Sequence, residues 1–165
     1  RRRKNHRPDF EFPPEELIMA IERQTKRNIA ESIRRTREAN LNTTVVLEAC
    51  CYIDGLGRKL FNGGPEYRFK KYIEMYMPVT YDQLKKRSNL LGRKHDFCLH
   101  ALWGDIRCGL VHEIDPKSKS VIIGRGKTIV HLNIKDKRYP KKHLVLSSPR
   151  FVDDFLNSLV LQRYK

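Results

Sequence analysis

The 165-residue chain has no long hydrophobic run. Its most apolar stretch, Val45 to Ile53, is interrupted by Glu48, well short of the roughly 20 apolar residues a membrane helix requires. A transmembrane helix is therefore excluded. The leading Arg1-Arg2-Arg3-Lys4 runs into Asn5-His6-Arg7-Pro8 with no apolar segment behind it, unlike a secretory signal, so a cytoplasmic location is expected. There are no internal repeats. The four cysteines, Cys50, Cys51, Cys98 and Cys108, form no Cys-x-x-Cys pair, and they read as reduced, buried thiols. His6, His95, His100, His131 and His143 lie apart, with only His95 and His100 close, at a poor ligand spacing. Neither a metal nor a cofactor is expected.

Acidic residues are also scarce: 19 Asp and Glu face 34 Lys and Arg, a net charge of +15. The excess grows along the chain. Residues 1–40 hold 11 basic and 7 acidic side chains, residues 41–114 hold 11 and 8, and residues 115–165 hold 12 and 4. This balance favours a polyanionic partner, with nucleic acid first and an anionic membrane surface second. With 39% hydrophobic residues the chain can still build a core, and its length suits one domain. A basic, flexible arm over 1–12 precedes a single domain over 13–165.

What is present is mostly helical patterning. Pro13-Pro14 followed by Glu15 and Glu16 predicts a helix start, running to about Ala39 with a basic second half. Asn42-Thr43-Thr44 supplies an N-cap for a core helix from Val45 to Phe61 (Val46, Leu47, Cys50, Ile53, Leu56, Leu60), ended by Asn62-Gly63-Gly64-Pro65. Asp54 stands inside that apolar run, where a pairing with a neighbouring Arg or an outward turn is the simplest reading. Pro65 to Met77 reads as a third helix with Phe69, Tyr72, Ile73 and Tyr76 inward, and Tyr81 to Leu91 as a short basic one. A helix from about Asp96 to Glu113 follows.

Beyond Asp115-Pro116 the period shortens. Ser120–Gly124 and Thr128–Ile134 read as strands of a hairpin turned by Gly124-Arg125-Gly126-Lys127, and His143–Leu146 as a third strand. Ser147-Ser148-Pro149 caps a final helix, about 149–163, with Phe151, Phe155, Leu159 and Val160 on one face. The fold class is thus mainly α, a helical bundle to about 114 with a small basic β-hairpin or sheet at about 119–146 and a closing helix.

The helix around Arg107 has two faces. On a helical wheel Leu99, Leu102, Trp103, Ile106 and Leu110 form the core arc. Gly104, Cys108 and Val111 lie nearly opposite, flanked by Arg107 and His112. A second surface of small and apolar residues suits contact with another helix, so a homodimer through Gly104, Cys108 and Val111 is expected. Two copies of Arg107 and His112 would then share one cleft. His moves a proton near neutral pH and Arg grips phosphate, a pair suited to metal-free RNA cleavage by an internal 2′-hydroxyl. The plainer alternatives are a His at a helix C-terminus and an Arg in an ion pair with Asp105 or Glu113.

The segment Ile106-Arg107-Cys108-Gly109-Leu110-Val111-His112-Glu113 resembles the Arg, four to six residues, His signature of the HEPN superfamily (higher eukaryotes and prokaryotes nucleotide-binding). Leu47 to Gly57, Tyr67 to Ile73 and Tyr76-Met77-Pro78 are similar to small prokaryotic members. The resemblance spans roughly Thr43 to Glu113. It implies an up-and-down helical bundle, a homodimer with the motif helices at its interface, and metal-independent endoribonuclease activity in defence, toxin–antitoxin or RNA-processing systems. Arg107 and His112 match the catalytic pair. Cys108 stands where a polar residue often follows the Arg. Ile114 occupies the position of a Tyr that some toxins have modified, so silencing by nucleotide transfer there is not expected.

On this reading Asp54, Asp105, Cys108 and Glu113 are second-tier site residues. Arg125, Lys127, Lys135, Lys137 and Arg138, with Arg34 and Arg35 of the first helix, contact RNA phosphates. Two rivals stay open: an inactive module binding RNA or protein through the same surface, and a subunit docking a nucleotidyltransferase or antitoxin partner.

Overall fold

A computed structural model describes residues 15–94, 96–108, 121–124, 126, 128–133 and 143–161. Five α-helices come first: α1 (Glu15–Glu38), α2 (Asn42–Leu60), α3 (Pro65–Tyr76), α4 (Pro78–Leu90) and the short α5 (Phe97–Ala101). A π-helix (Leu102–Cys108) continues α5. Strands β1 (Val121–Gly124), β2 (Val130–Asn133) and β3 (His143–Ser147) then lead into α6 (Ser148–Leu161). The fold is mainly α with a small sheet and a closing helix, as the patterning predicts. The N-terminal arm lies outside the described residues.

Helix α2 is the centre of the bundle. It packs against α1, α3, α6, the π-helix and β1. Val45, Val46, Ala49, Cys50, Ile53 and Leu56 are buried, in a rhythm that turns more than one side of the helix to apolar neighbours. From α3, Phe69, Tyr72, Ile73 and Tyr76 face inward as expected, and each large buried side chain contributes about 1.5–3 kcal/mol by leaving water. Two helix starts differ from expectation. Asn42-Thr43-Thr44 does not cap α2: the cap position is Leu41 and no side chain bonds there, while the Ser148 hydroxyl donates to the Asn42 carbonyl, tying α2 to α6. Helix α4 begins at Pro78 rather than Tyr81, because Asp154 of α6 accepts from the Thr80 N–H (2.9 Å) and hydroxyl (2.6 Å) and so satisfies the first turn from outside.

The expected hairpin is corrected. Strands β1 and β2 do not pair; both flank β3, in the order β1-β3-β2, with β1 parallel and β2 antiparallel to it. The reason is apolar content: Leu144, Val145 and Leu146 of β3 are all buried, which suits the centre of a sheet better than an edge. Helix α4 finishes the β2 edge, where Gln83 accepts from the Val130 N–H (3.1 Å) and Arg87 donates to its carbonyl (3.4 Å). On α6, Phe151, Phe155 and Leu159 are buried, but Val160 is 48% exposed and does not share their face.

Two glycines of α2 report on packing in opposite ways. A Cβ at Gly57 would sit 2.9 Å from the Arg68 carbonyl oxygen, so hydrogen is the only side chain that lets α2 and α3 approach this closely. A Cβ at Gly55 would meet nothing within 4 Å. Gly57→Ala should therefore cost about 1–3 kcal/mol by overpacking against backbone, whereas Gly55→Ala should gain up to about 1 kcal/mol of helix propensity, both read from urea unfolding midpoints.

Candidate functional site

The core arc predicted for the Arg107 helix is confirmed over the described residues: Leu99, Leu102, Trp103 and Ile106 are buried. The helix itself is not a continuous α-helix. After one turn of α5 the backbone takes i→i+5 hydrogen bonds from Leu102 to Cys108, a form that is uncommon and concentrated at functional sites. Arg107 and Cys108 end this π-helix. Gly104, Asp105, Arg107 and Cys108 are half-buried, and a Cβ at Gly104 would meet nothing within 4 Å, so the small-residue face is open in the single chain.

Arg107 is held from three directions. Its Nη2 donates to Asp54 Oδ2 at 2.6 Å, joining residues 53 apart in sequence, with side chains 20% and 10% exposed. Its guanidinium carbon lies 4.6 Å from the Trp103 ring centroid, a cation–π contact. Trp103 in turn leans on Phe69, 5.2 Å between centroids. Nη1 approaches the Cys108 sulfur at 3.9 Å. Asp54 is thus an acid that neutralises Arg107, and Arg107 is the neighbouring Arg that the simplest reading of Asp54 called for.

The pair is not saturated. Arg107 Nε and Asp54 Oδ1 are buried without a hydrogen-bond partner among the described residues. Such atoms are costly unless something completes them. Burial works against the guanidinium charge, but the hydrogen bond and charge of Asp54, with a smaller part from Cys108, outweigh it and push its pKa above the ordinary value. Arg107 is a permanent, pre-oriented cation at the protein's edge.

The cysteines divide. All four are free, Cys50 and Cys98 are buried, Cys108 is half-buried, and Cys51 is exposed, against the expectation that all are buried. Burial pushes the Cys50 thiol far up, with Cys51 adding to the shift and Arg107 opposing it. Partial burial also raises the Cys51 thiol, opposed by Arg107 and reinforced by Asp54 and Glu48. Burial raises the Cys98 thiol too, so Cys50, Cys51 and Cys98 are not activated nucleophiles.

Of the expected site residues the structure brings Asp54, Arg107 and Cys108 together, on α2 and the π-helix. Val111, His112 and Glu113 lie outside the described residues, as do Arg125, Lys127, Lys135, Lys137 and Arg138. Arg34 and Arg35 are exposed on α1, but Arg35 is ion-paired with Glu31 one turn away, which lowers its value for phosphate. Sequence reasoning assigned Trp103 only to the core; its spacing of four from Arg107 on a helix was the signal for the stacked cation. Among the described residues no group of His, Cys, Asp and Glu could hold a metal ion, and no helix is long and apolar enough to cross a membrane. Comparison with protein-family models, with curated proteins and with solved structures found no match.

The geometry makes Asp54 and Arg107 one unit. Asp54→Ala should cost about 2–4 kcal/mol by leaving the cation half-buried and unpaired, and Arg107→Ala a similar amount. The double variant should cost less than the sum by at least about 1 kcal/mol in a denaturation double-mutant cycle; additive losses would show that the pair is not coupled.

Proposed function

We propose that the protein is a HEPN-like, metal-independent endoribonuclease that works as a homodimer in the cytoplasm, in prokaryotic defence or toxin–antitoxin function. The observation that carries this reading is the setting of Arg107: a guanidinium at the end of a π-helix, oriented by Asp54 and Trp103, whose side chain keeps 20% of its surface exposed. An arginine held this way presents a fixed, pre-oriented charge to a phosphate oxygen.

In the reaction, Arg107 grips a non-bridging oxygen of the scissile phosphate and stabilises the charge that develops there. The 2′-hydroxyl of the preceding ribose attacks phosphorus, its proton passes to a base, and the P–O5′ bond breaks as the departing 5′-oxygen takes a proton. His112 is the proton-transfer group for these steps, and the product carries a 2′,3′-cyclic phosphate. The homodimer forms through the open face at Gly104 and Cys108, extended by Val111, so that the two Arg107 and His112 pairs share a cleft. The basic segment with Arg125, Lys127, Lys135, Lys137 and Arg138 adds sequence-independent contacts to the strand.

One observation favours a second reading. Asp54 occupies one arm of Arg107 and neutralises it, as a purely structural pair would. On that reading the protein is an inactive module that binds RNA, or a partner such as an antitoxin or nucleotidyltransferase.

Cleavage of a labelled single-stranded RNA in excess EDTA separates the two. The parent should cut and leave 2′,3′-cyclic phosphate ends, and Arg107→Ala and His112→Ala should each slow cleavage by about 100-fold or more. Bound but uncut RNA would establish the second reading, and undiminished cleavage by His112→Ala would remove His112 from the site.

A further inference from the structure

A separate groove lies between α1 and α6, with a volume of about 340 Å³, within the size range of small-ligand sites. Its walls differ in character. Leu156, Leu159 and Val160 of α6 form an apolar floor, and Val160 is left 48% exposed there. Opposite, α1 presents Lys26, Arg27, Ala30 and Arg34, with Arg27 and Arg34 flanking a residue small enough to leave the space open.

The charges of α1 are not equivalent. Arg35 is neutralised by Glu31 and Arg37 by Asp153 at 2.5 Å. Arg27 and Arg34 have no ion pair among the described residues, and both point their exposed side chains at the groove. Glu31, the acid on the groove's rim, is turned to Arg35. Seven residues separate Arg27 from Arg34, about 10 Å along the helix. An apolar floor between two uncompensated cations matches one chemistry well: a flat base against the floor, with backbone phosphates on either side.

We infer that this groove binds a nucleotide unit of single-stranded RNA, with phosphates at Arg27 and Arg34 and the base over Leu156 and Val160. It takes from the nuclease reading only that RNA is the ligand, and it makes the α1–α6 groove a second contact, on different elements from Asp54 and Arg107, that holds the strand. The closed pairs make Arg35 and Arg37 bystanders.

The test uses the full chain and 2′-O-methyl oligouridylate, which binds without being cut, followed by fluorescence anisotropy over a range of salt. Arg27→Gln/Arg34→Gln should weaken binding at least tenfold and lower the salt slope by about 1.4, while Arg37→Gln should leave both unchanged. The parent should bind the oligonucleotide at least tenfold more tightly than inorganic polyphosphate of equal charge. Unchanged binding by the double variant, an equal loss in Arg37→Gln, equal affinity for polyphosphate, or binding to phosphatidylserine vesicles in place of the oligonucleotide would each overturn the groove. Cleavage of unmodified RNA, measured alongside, keeps the two readings apart: a parent that cuts while the double variant binds normally removes the groove alone, and a groove-dependent complex that is never cut removes the nuclease alone.

Discussion

A carboxylate in the middle of a central core helix must be answered by a cation, and in this fold the answer is Arg107. Asp54 sits on α2 among Cys50, Ile53, Leu56 and Gly57, all buried, where an unpaired charge would be prohibitive. The 2.6 Å bond to Arg107 ties the π-helix to α2, and Trp103 stacked on the guanidinium ties the same cation to Phe69 of α3. Three elements thus converge on one side chain. The price is that two polar atoms, Arg107 Nε and Asp54 Oδ1, are enclosed without partners among the described residues.

The π-helix and the Asp54 pair are consistent with one another. Changing from i→i+4 to i→i+5 bonding after Ala101 alters where successive side chains project, and the segment ends with Leu102, Trp103 and Ile106 in the core while Arg107 lies within reach of α2. Close approach elsewhere supports this geometry. Gly57 lets α3 come near enough that Phe69 can back Trp103. The sheet and α6 close the other end, through Asp154 at the first turn of α4 and the Tyr72–Ser158 hydrogen bond of 2.8 Å.

Local periodicity carried much of the fold. The inward positions of α3 and the arc Leu99, Leu102, Trp103, Ile106 follow from spacing alone, because each is decided by the residues next to it. What spacing does not carry is non-local. The placement of β3 between β1 and β2 depends on which strand is buried on both faces, and the exposure of Val160 depends on how α6 seats on the rest of the fold. The π-helix uses ordinary helix-forming residues and leaves no distinct mark in sequence. For the site, an acid inside an apolar run announced that Asp54 needs a cation, but not which one. The Glu31–Arg35 pairing was legible from its i,i+4 spacing; Arg37 with Asp153 was not.

The claim at the centre of this account is that the Asp54-held guanidinium of Arg107 meets a phosphate. The direct measurement is the Arg107 Nε–H signal in a nitrogen–proton NMR spectrum, assigned by its loss in Arg107→Lys, with and without 2′-O-methyl RNA. The account predicts that the signal shifts when RNA is bound, because a phosphate at the guanidinium redistributes its charge. A signal that stays in place in a saturated complex would contradict it, and would leave Arg107 as a structural ion pair.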